Sequence, residues 1–320
     1  MKKIILIFLI AVLWNGAFSQ QERQVSHYMY DQISVNPGSA GSSDQISTHV
    51  IGRQQWAGID GAPVDFIFNI SAPFKLFNAN HGVGLSVWKD EVGFNNDINL
   101  SLNYAYQFTV GNGRLGLGIS GIFDNQQMDN PEWIIPSSPL HDPNNDLAIP
   151  TGDQNEFTID FGAGLFYRTE ELYVGLSATH LLEDEFVYQS EGTTTAEASM
   201  KMYRHYYLMA GYNIQLSNPA FELLPSVFLQ SDARMTKIDL NTTLLYNKKF
   251  WAGVTYRVGA AIVGMVGLEI LNGVKVGYSY DFDTSALTSF SKGSHEVMIG
   301  YSFTVGMDKI PQKYKSIRFL

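Results

Sequence analysis

Two short stretches of the sequence have residue types and spacings that could do chemistry. Residues 111–116, GNGRLG, match the G-x-G-x-x-G pattern of dinucleotide-binding loops. That pattern binds a nucleotide only where a strand precedes it and a helix follows it. Here the following residues alternate as in a strand, and Asn112-Gly113 is typical of a hairpin turn. We therefore interpret the stretch as a hairpin, with nucleotide binding as the alternative.

The second stretch is DPNNDLAIPTGD, residues 142–153, where Asp142, Asn144 and Asp146 have the spacing of calcium ligands. A calcium loop of the EF-hand type needs a glycine at its sharp turn and a bidentate glutamate at its end. This sequence has Leu147 and Asp153 at those two positions. A solvent-facing loop rich in Asp, Asn and Pro is the simpler interpretation. Calcium binding in this loop remains the alternative.

Other catalytic and metal patterns are missing from the sequence. The seven histidines are scattered without H-x-x-x-H or H-E-x-x-H spacing, and the chain has no cysteine and no G-x-S-x-G. We therefore predict no metal ligands, no cofactor and no catalytic residues. A hydrolase whose Ser, His and Asp meet from distant strands is the alternative that one sequence leaves open.

Alternation of apolar and polar residues is the strongest pattern, and it indicates the elements that must position any site. In residues 98–109, INLSLNYAYQFT, every second residue is Ile, Leu, Tyr or Phe, and those between are mostly Asn, Ser, Gln and Thr. Residues 274–281 and 295–305 repeat the pattern. A soluble β-sandwich would also alternate. The small polar residues of one face and the aromatic residues near strand ends favour a lipid-facing exterior around a polar lumen.

The sequence therefore predicts an all-β fold, a transmembrane antiparallel β-barrel of about 14 strands with an extended N-terminal segment. The predicted strands cover residues 45–57, 64–73, 82–89, 97–109, 114–124, 157–167, 171–180, 203–214, 221–231, 236–246, 249–257, 260–269, 273–281 and 294–305. The three longest connections, 125–156, 181–202 and 282–293, all fall on odd-numbered turns. With the N-terminus in the periplasm, those connections are external, as in outer-membrane barrels.

The first 19 residues predict a signal peptide and therefore export. Lys2 and Lys3 precede an apolar run at residues 4–13, which is too short to span a bilayer, and small residues surround Ala17 and Ser19. The net charge of −10 argues against a nucleic-acid partner. We expect a signal peptide at 1–19, an N-terminal segment that enters or plugs the barrel at 20–44, the barrel at 45–305 and a C-terminal extension at 306–320.

Several motifs resemble one protein family over essentially the whole mature chain. SHYMYDQISVNPGSAG (residues 26–41) is similar to the N-terminal signature of the PorP/SprF outer-membrane proteins, and RQQWAGIDGAP (residues 53–63) resembles their motif R-x-Q-W-x-G-x-x-G-A-P. Four further stretches match in order, YVGLSATHLL (173–182), WAGVTYR (251–257), VGYSYDF (276–282) and GSHEVMIGYSF (293–303). The chain departs from the family where Gly38-Ser39 replaces Ala-Tyr, where His27 replaces Gln, and in its ending RFL.

The resemblance implies a non-catalytic barrel of the type IX secretion system in the outer membrane of a Gram-negative, Bacteroidetes-type bacterium. It also implies a role in gliding motility in some lineages. The implied partners are a secreted adhesin or its C-terminal domain, together with other outer-membrane and periplasmic components of that system. We expect the external loops to contact the adhesin, and the N-terminal segment and short turns to face the periplasm. A porin for small solutes is the alternative function.

The opening motifs supply the candidate structural or partner-binding residues, which are Asn36, Pro37, Arg53, Gln55, Trp56, Gly58, Gly61 and Pro63. Asn36 and Pro37 should turn the N-terminal segment into the first strand. Arg53 and Gln55 should face the lumen from that strand, and Trp56 should face the external girdle. We expect Arg53 to pair with Asp160 or Glu296 and so to fix the N-terminal segment. Direct contact with a partner is the alternative role.

Overall fold

The computed structural model describes residues 23–129, 153–189, 197–271 and 273–304. The predicted signal peptide at 1–19, the predicted C-terminal extension at 306–320 and all of the calcium stretch at 142–153 except Asp153 lie outside the described residues. In the described part of the chain, no helix is long and apolar enough to cross a membrane. The strands are β1 (Ile46–Gln54), β2 (Val64–Leu76), β3 (Ala79–Val92), β4 (Asn95–Val110), β5 (Gly113–Met128), β6 (Gln154–Arg168), β7 (Leu172–Thr179), β8 (Glu185–Gln189), β9 (Glu197–Lys201), β10 (His205–Tyr212), β11 (Ile214–Gln215), β12 (Phe221–Ser231), β13 (Thr236–Tyr246), β14 (Phe250–Arg257), β15 (Ala261–Leu271), β16 (Val274–Asp283) and β17 (Ser294–Phe303).

Fourteen of these strands close into one antiparallel barrel, which confirms the predicted fold and strand number. Each barrel strand pairs with the next barrel strand in the chain, β10 pairs with β12, and β1 pairs with β17 to close the ring. The short strand β11 pairs with β12, and β8 and β9 form a separate hairpin.

The barrel carries its apolar side chains outside and its polar side chains inside. On β4, Ile98, Leu102, Tyr104 and Tyr106 are exposed. The alternate residues Ser101, Asn103 and Gln107 are buried. A soluble protein buries the opposite set, whereas an exterior of this kind is stable in lipid.

The connections divide into two ends of different character. The end that carries connections 55–63, 129–153, 180–204 and 284–293 is called here the long-loop end. The opposite end, where β1 begins and β17 finishes, is called the short-turn end. All three of the long connections predicted from the sequence lie at the long-loop end. This agrees with the prediction, because odd-numbered connections of an antiparallel barrel all lie at the same end. The G-x-G-x-x-G stretch begins with the two-residue turn between β4 and β5, which is Gly111-Asn112 and not the predicted Asn112-Gly113. Its last four residues lie on β5, so a strand follows the turn.

Two sequence predictions about local structure are wrong. The first strand ends at Gln54 instead of residue 57, because the backbone turns at Trp56, where φ is 46°. Such a positive φ is unfavourable for a residue with a side chain and incompatible with continuing a strand. Gln55 and Trp56 therefore do not lie on β1. The connection 181–202 is also not a plain loop, since it contains the β8–β9 hairpin.

The described N-terminal segment, residues 23–45, runs through the inside of the barrel. Arg23 lies near the long-loop end, where its guanidinium stacks 4.6 Å from the Trp88 ring centroid. The segment then runs through the lumen to the short-turn end, where Arg114 donates two hydrogen bonds of 2.8 Å to Asp44. The beginning of this segment therefore lies at the end with the long connections, and its end lies at the short-turn end.

Candidate functional site

Two arginines and three carboxylates form a buried ion-pair network inside the barrel, near the long-loop end. Arg53 contacts Asp281 at 2.8 Å and Glu296 at 3.2 Å. Arg257 contacts the same Asp281 at 2.6 Å and Asp239 at 3.1 Å. All five side chains belong to residues at most 3% exposed. Because charges so deeply buried are stable only when paired, the five groups depend on one another.

The strand register explains why these groups meet. Arg53 on β1 lies directly opposite Glu296 on β17, and Arg257 on β14 lies directly opposite Asp239 on β13. Asp281 on β16 lies between the two arginines and accepts from both. The network therefore joins five strands on both sides of the β1–β17 seam.

The N-terminal segment is bonded to this network by Ser26 and His27. The backbone N–H groups of both residues donate to Glu296 over 2.8 Å, and His27 Nδ1 lies 2.6 Å from the same carboxylate. The Ser26 hydroxyl donates to Asp281 over 3.0 Å and accepts from Arg53 over 3.0 Å. The network therefore holds the segment as well as the wall.

Of the two carboxylates predicted as partners of Arg53, the structure brings Glu296 to it and places Asp160 elsewhere. Asp160 lies on β6 and accepts from the backbone N–H groups of Phe161 and Leu182. Asp281, Arg257 and Asp239 were not predicted, because Asp281 contacts Arg53, and Arg257 links Asp281 to Asp239, only through the register and curvature of distant strands.

The middle of the segment contacts both halves of the wall. The Tyr28 ring stacks on Phe228 with centroids 5.1 Å apart, and its hydroxyl lies 2.9 Å from Ser226 Oγ. On the other side, Trp88 Nε1 donates to Ser34 over 3.0 Å. The segment is therefore held across the width of the lumen.

The lower part of the segment packs into a wall lined by glycine, at the Asn36-Pro37-Gly38 motif. Asn36 is fully buried and accepts from Gly38 N–H over 2.9 Å, while its amide donates to Leu165 O over 3.0 Å. A Cβ built on Gly118 would lie 2.1 Å from Gly38 N, and one built on Gly116 would lie 2.1 Å from Gly38 O. Backbone meets backbone here, so only glycine fits on the wall.

This packing also concerns residue 38, where the chain has glycine and the family signature has alanine. An alanine there, as in the signature that the chain resembles, would place its Cβ 2.9 Å from Gly116 O and 3.0 Å from Gly164 O. With alanine, the segment would need to lie farther from the wall.

The remaining candidate residues form a loop at the long-loop end and take no part in the ion-pair network. Gln55 N–H donates to Pro63 O over 2.9 Å, and Trp56 N–H donates to Ser294 Oγ over 3.1 Å. Gly58 and Gly61 have φ angles of 92° and 70°, which glycine adopts at little cost. The motif therefore divides into a buried arginine and a turn that docks against Lys292, Gly293 and the start of β17.

The segment and the network separate two cavities in the lumen. The cavity at the long-loop end has a volume of about 490 Å³ and is lined by Arg23, Asp97, Asp124, Gln126 and Arg234, among others. The cavity at the short-turn end has a volume of about 370 Å³ and is lined by Tyr30, His49, Arg168, Trp251 and Lys275, among others. Among the described residues, no three His, Asp or Glu side chains are placed to hold a metal ion.

Comparison with known protein families gives one match. A model of the family described as type IX secretion system membrane protein PorP/SprF matches residues 17–301. No curated protein sequence matches the chain.

Among solved structures, the chain is similar to a monoaromatic hydrocarbon channel, CymD, with 13% identity, 86% of this chain and 93% of that chain covered, and a TM-score of 0.49. It is also similar to the Ralstonia pickettii toluene transporter TbuX, with 12% identity and a TM-score of 0.48. That match covers 84% of this chain and 92% of the transporter chain. A third similarity is to the outer membrane protein Omp33 of Acinetobacter baumannii, with 10% identity and a TM-score of 0.44. That match covers 83% of this chain and 100% of the Omp33 chain.

Proposed function

Because the chain belongs to the PorP/SprF family of type IX secretion system membrane proteins, we propose that it is a non-catalytic outer-membrane barrel that binds a secreted adhesin-like protein. In this role it supports the export of that protein or its attachment at the cell surface, and in some lineages gliding motility. Its other partners are components of the same secretion system. Residues 1–19 act as its signal peptide and are removed during export.

The occupied lumen is the observation that supports a binding role over a solute channel. The N-terminal segment crosses the interior, and its backbone is bonded to a buried network that spans five strands. Opening a continuous path would require these charge-assisted bonds to break together, and each contributes about 1.5–3 kcal/mol. The charged groups of the network are also bonded to one another and to the segment, which favours a structural role for them over catalysis.

The long-loop end is the surface that we assign to the secreted partner, since long connections are external in outer-membrane barrels. Phe290 in connection 284–293 is 74% exposed, and Leu182 in connection 180–204 is 59% exposed. Exposed apolar side chains of this kind supply much of the affinity when a partner buries them.

Affinity purification of the tagged protein from the native outer membrane, after mild solubilisation and crosslinking, tests the proposal. We expect mass spectrometry to identify a large secreted adhesin or subunits of the secretion machinery. Phe290→Ser should lower the recovery of the secreted partner. Phe77→Ser is a matched control, because Phe77 is 93% exposed at the short-turn end. Recovery of the barrel alone would contradict the proposal.

Conductance measurements in planar bilayers separate the proposed role from the porin. A lumen closed by the segment should give no steady open current. A steady current from the intact protein, together with the absence of a co-purified partner, would favour the solute channel.

A further inference from the structure

Strand β6 has a paired strand on one side only at the long-loop end. All fifteen of its residues pair with β5, whereas only residues 163–168 pair with β7. Leu181 N–H, just beyond the end of β7, donates to Phe161 O over 3.0 Å and continues this seam for a short distance. The strand β8 pairs only with β9. Within the described part of the chain, residues 155–160 therefore form an open strand edge.

The backbone groups along this edge are available for pairing. In an antiparallel strand, the N–H and C=O of one residue point to the same side, and that side alternates from residue to residue. Phe161 O points to the β7 side, because it accepts from Leu181. Asn155, Phe157 and Ile159 have the same parity, so their N–H and C=O groups also point to the open side. None of these groups forms a hydrogen bond with another described residue.

The end of β6 that carries this edge lies in water. Asn155 is in register with Gln127 on β5, which is in register with Asn96 on β4 and through it with Glu91 on β3. Asn96 lies two residues before the exposed Ile98 and therefore shares its outward orientation. The outer face thus carries only polar side chains at this level. Because lipid tails satisfy neither such a row nor unpaired backbone groups, this end of β6 projects beyond the bilayer.

The edge lacks several features that commonly protect an open strand, such as Lys, Pro or a β-bulge. Residues 155–160 are NEFTID, and their register with β5 continues without interruption. On the outer face, Phe157 is 57% exposed and Ile159 is 45% exposed. Leu182, which belongs to the surface assigned to the secreted partner, donates through its backbone N–H to Asp160 over 2.9 Å. The open edge is therefore continuous with that surface.

Glu156 restricts which strand fits the edge. Its side chain alternates with the outward Phe157 and so lies on the inner face, where it forms no ion pair within 4.0 Å among the described residues. Burial, together with the nearby charges of Asp97 and Glu156, raises the pKa of the Tyr188 hydroxyl. The surroundings of Glu156 are therefore anionic. They disfavour an acidic neighbour and favour a basic side chain on an added strand.

We propose that an extended segment of the secreted partner pairs with this edge and adds a strand to the wall. Its backbone exchanges hydrogen bonds with Asn155, Phe157 and Ile159. An apolar side chain of the segment packs beside Phe157 on the outer face, and a Lys or Arg lies beside Glu156 on the inner face. Strand addition of this kind takes its affinity from the backbone and its selectivity from alternate side chains. The inference rests on the proposed function for the nature of the partner.

The first test uses the purified full-length barrel in detergent and fluorescent, capped hexapeptides in which valine alternates with lysine or threonine. We expect saturable binding, measured by fluorescence anisotropy. The control peptides carry N-methyl groups on two neighbouring central residues, which blocks both edges of the peptide and leaves its charge unchanged. They should bind about tenfold or more weakly.

Variants of β6 separate backbone pairing from side-chain contact. Phe157→Pro removes the N–H that points to the open edge and none of the bonds to β5, so the barrel should remain folded. It should weaken peptide binding by about tenfold or more, whereas Phe157→Ser, which keeps that N–H, should weaken it less.

Two further variants test the charge of the edge. Glu156→Gln should weaken binding of the lysine-containing peptides by up to about fivefold. Glu185→Gln is the matched control, since Glu185 is an exposed acid on β8, and it should leave binding unchanged. A heat-modifiable shift on SDS gels identifies the variants that remain folded.

Four results would each overturn the inference. The first is equal binding of methylated and unmethylated peptides, and the second is full binding by folded Phe157→Pro. The third is self-association of the native barrel that Phe157→Pro abolishes, which would assign the edge to a second copy. The fourth is no binding of these peptides to the native barrel, as expected if connection 129–153 covers the edge.

Affinity purification of the tagged barrel separates failure of this inference from failure of the proposed function. A native barrel that recovers no partner contradicts the proposed function, while the peptides still measure pairing at the edge. Recovery of the partner in equal amounts by the native barrel and by folded Phe157→Pro would leave the proposed function intact and reject the edge as the binding site.

Discussion

The contact between Gly38 and the wall glycines makes a quantitative prediction about the N-terminal segment. In Gly118→Ala, the new Cβ would lie 2.1 Å from Gly38 N and 2.2 Å from Pro37 C, whereas ordinary contact begins at 3.4 Å. The segment must therefore retreat by about 1.3 Å. Overpacking of this kind costs about 1–3 kcal/mol. The equilibrium constant for release of the segment should rise about 5- to 150-fold.

Cysteine labelling measures this release, because the natural chain has no cysteine. Ser39→Cys places one thiol on the segment at a position that is 6% exposed. If the segment rebinds faster than a maleimide reacts, the labelling rate follows the open population. Adding Gly118→Ala should accelerate labelling by the same 5- to 150-fold factor, which is an order-of-magnitude expectation.

Gly121→Ala is the matched control on the same strand, since its Cβ would meet no other atom closer than 3.8 Å. We expect this variant to label at the parental rate. Equal labelling of the two alanine variants, with both barrels folded, would refute the argument that backbone contact holds the segment.

Three further predictions concern charged groups. Arg53→Met leaves Glu296 in a buried site without its arginine, so it should lower the free energy of unfolding in urea by about 3–5 kcal/mol; unchanged unfolding and partner recovery would show that Arg53 has no structural role. Asp44→Asn removes an exposed ion pair and should change that free energy by less than about 1 kcal/mol. Burial raises the pKa of Asp232, but backbone N–H groups in the turn 232–235 outweigh it and lower the pKa below the ordinary 3.8. The ionised Asp232 carboxylate therefore stabilises the turn above pH 3.8, and this stabilisation is lost as the pH falls through the lowered pKa. Hydrogen exchange of the turn amides should accelerate as the pH falls through that pKa. The Asp232→Asn variant should show no such acceleration.

Strand number and the orientation of side chains followed from the sequence because alternation is a local property. Residues 98–109 alternate without interruption, so a single stretch shows both the strand and its two faces. The β8–β9 hairpin was missed although Phe186 and Tyr188 alternate in EFVYQ and are buried. Its strands are five residues each, too short for the pattern to outweigh a loop interpretation.

The candidate site was only partly predictable, because its contacts connect residues far apart in the chain. Arg53 and Glu296 lie on the two strands that close the barrel, so a correct strand count nearly suffices to pair them. Arg257 and Asp281 join them through a register that the sequence does not encode locally. The path of residues 23–45 has no periodic pattern, and only tertiary contacts determine it.

The course of the N-terminal segment constrains the order of events during assembly. The ring is closed by continuous pairing of β1 with β17, from Ile46 against Phe303 to Gln54 against His295. Arg23 nevertheless lies near one mouth of that ring, while β1 starts at the other. Residues 23–45 must therefore already be in place when the last strand joins the first, or they must be threaded through the finished ring. A bulky folded tag fused before residue 23 would block the second route, so such a fusion reveals which route the cell uses.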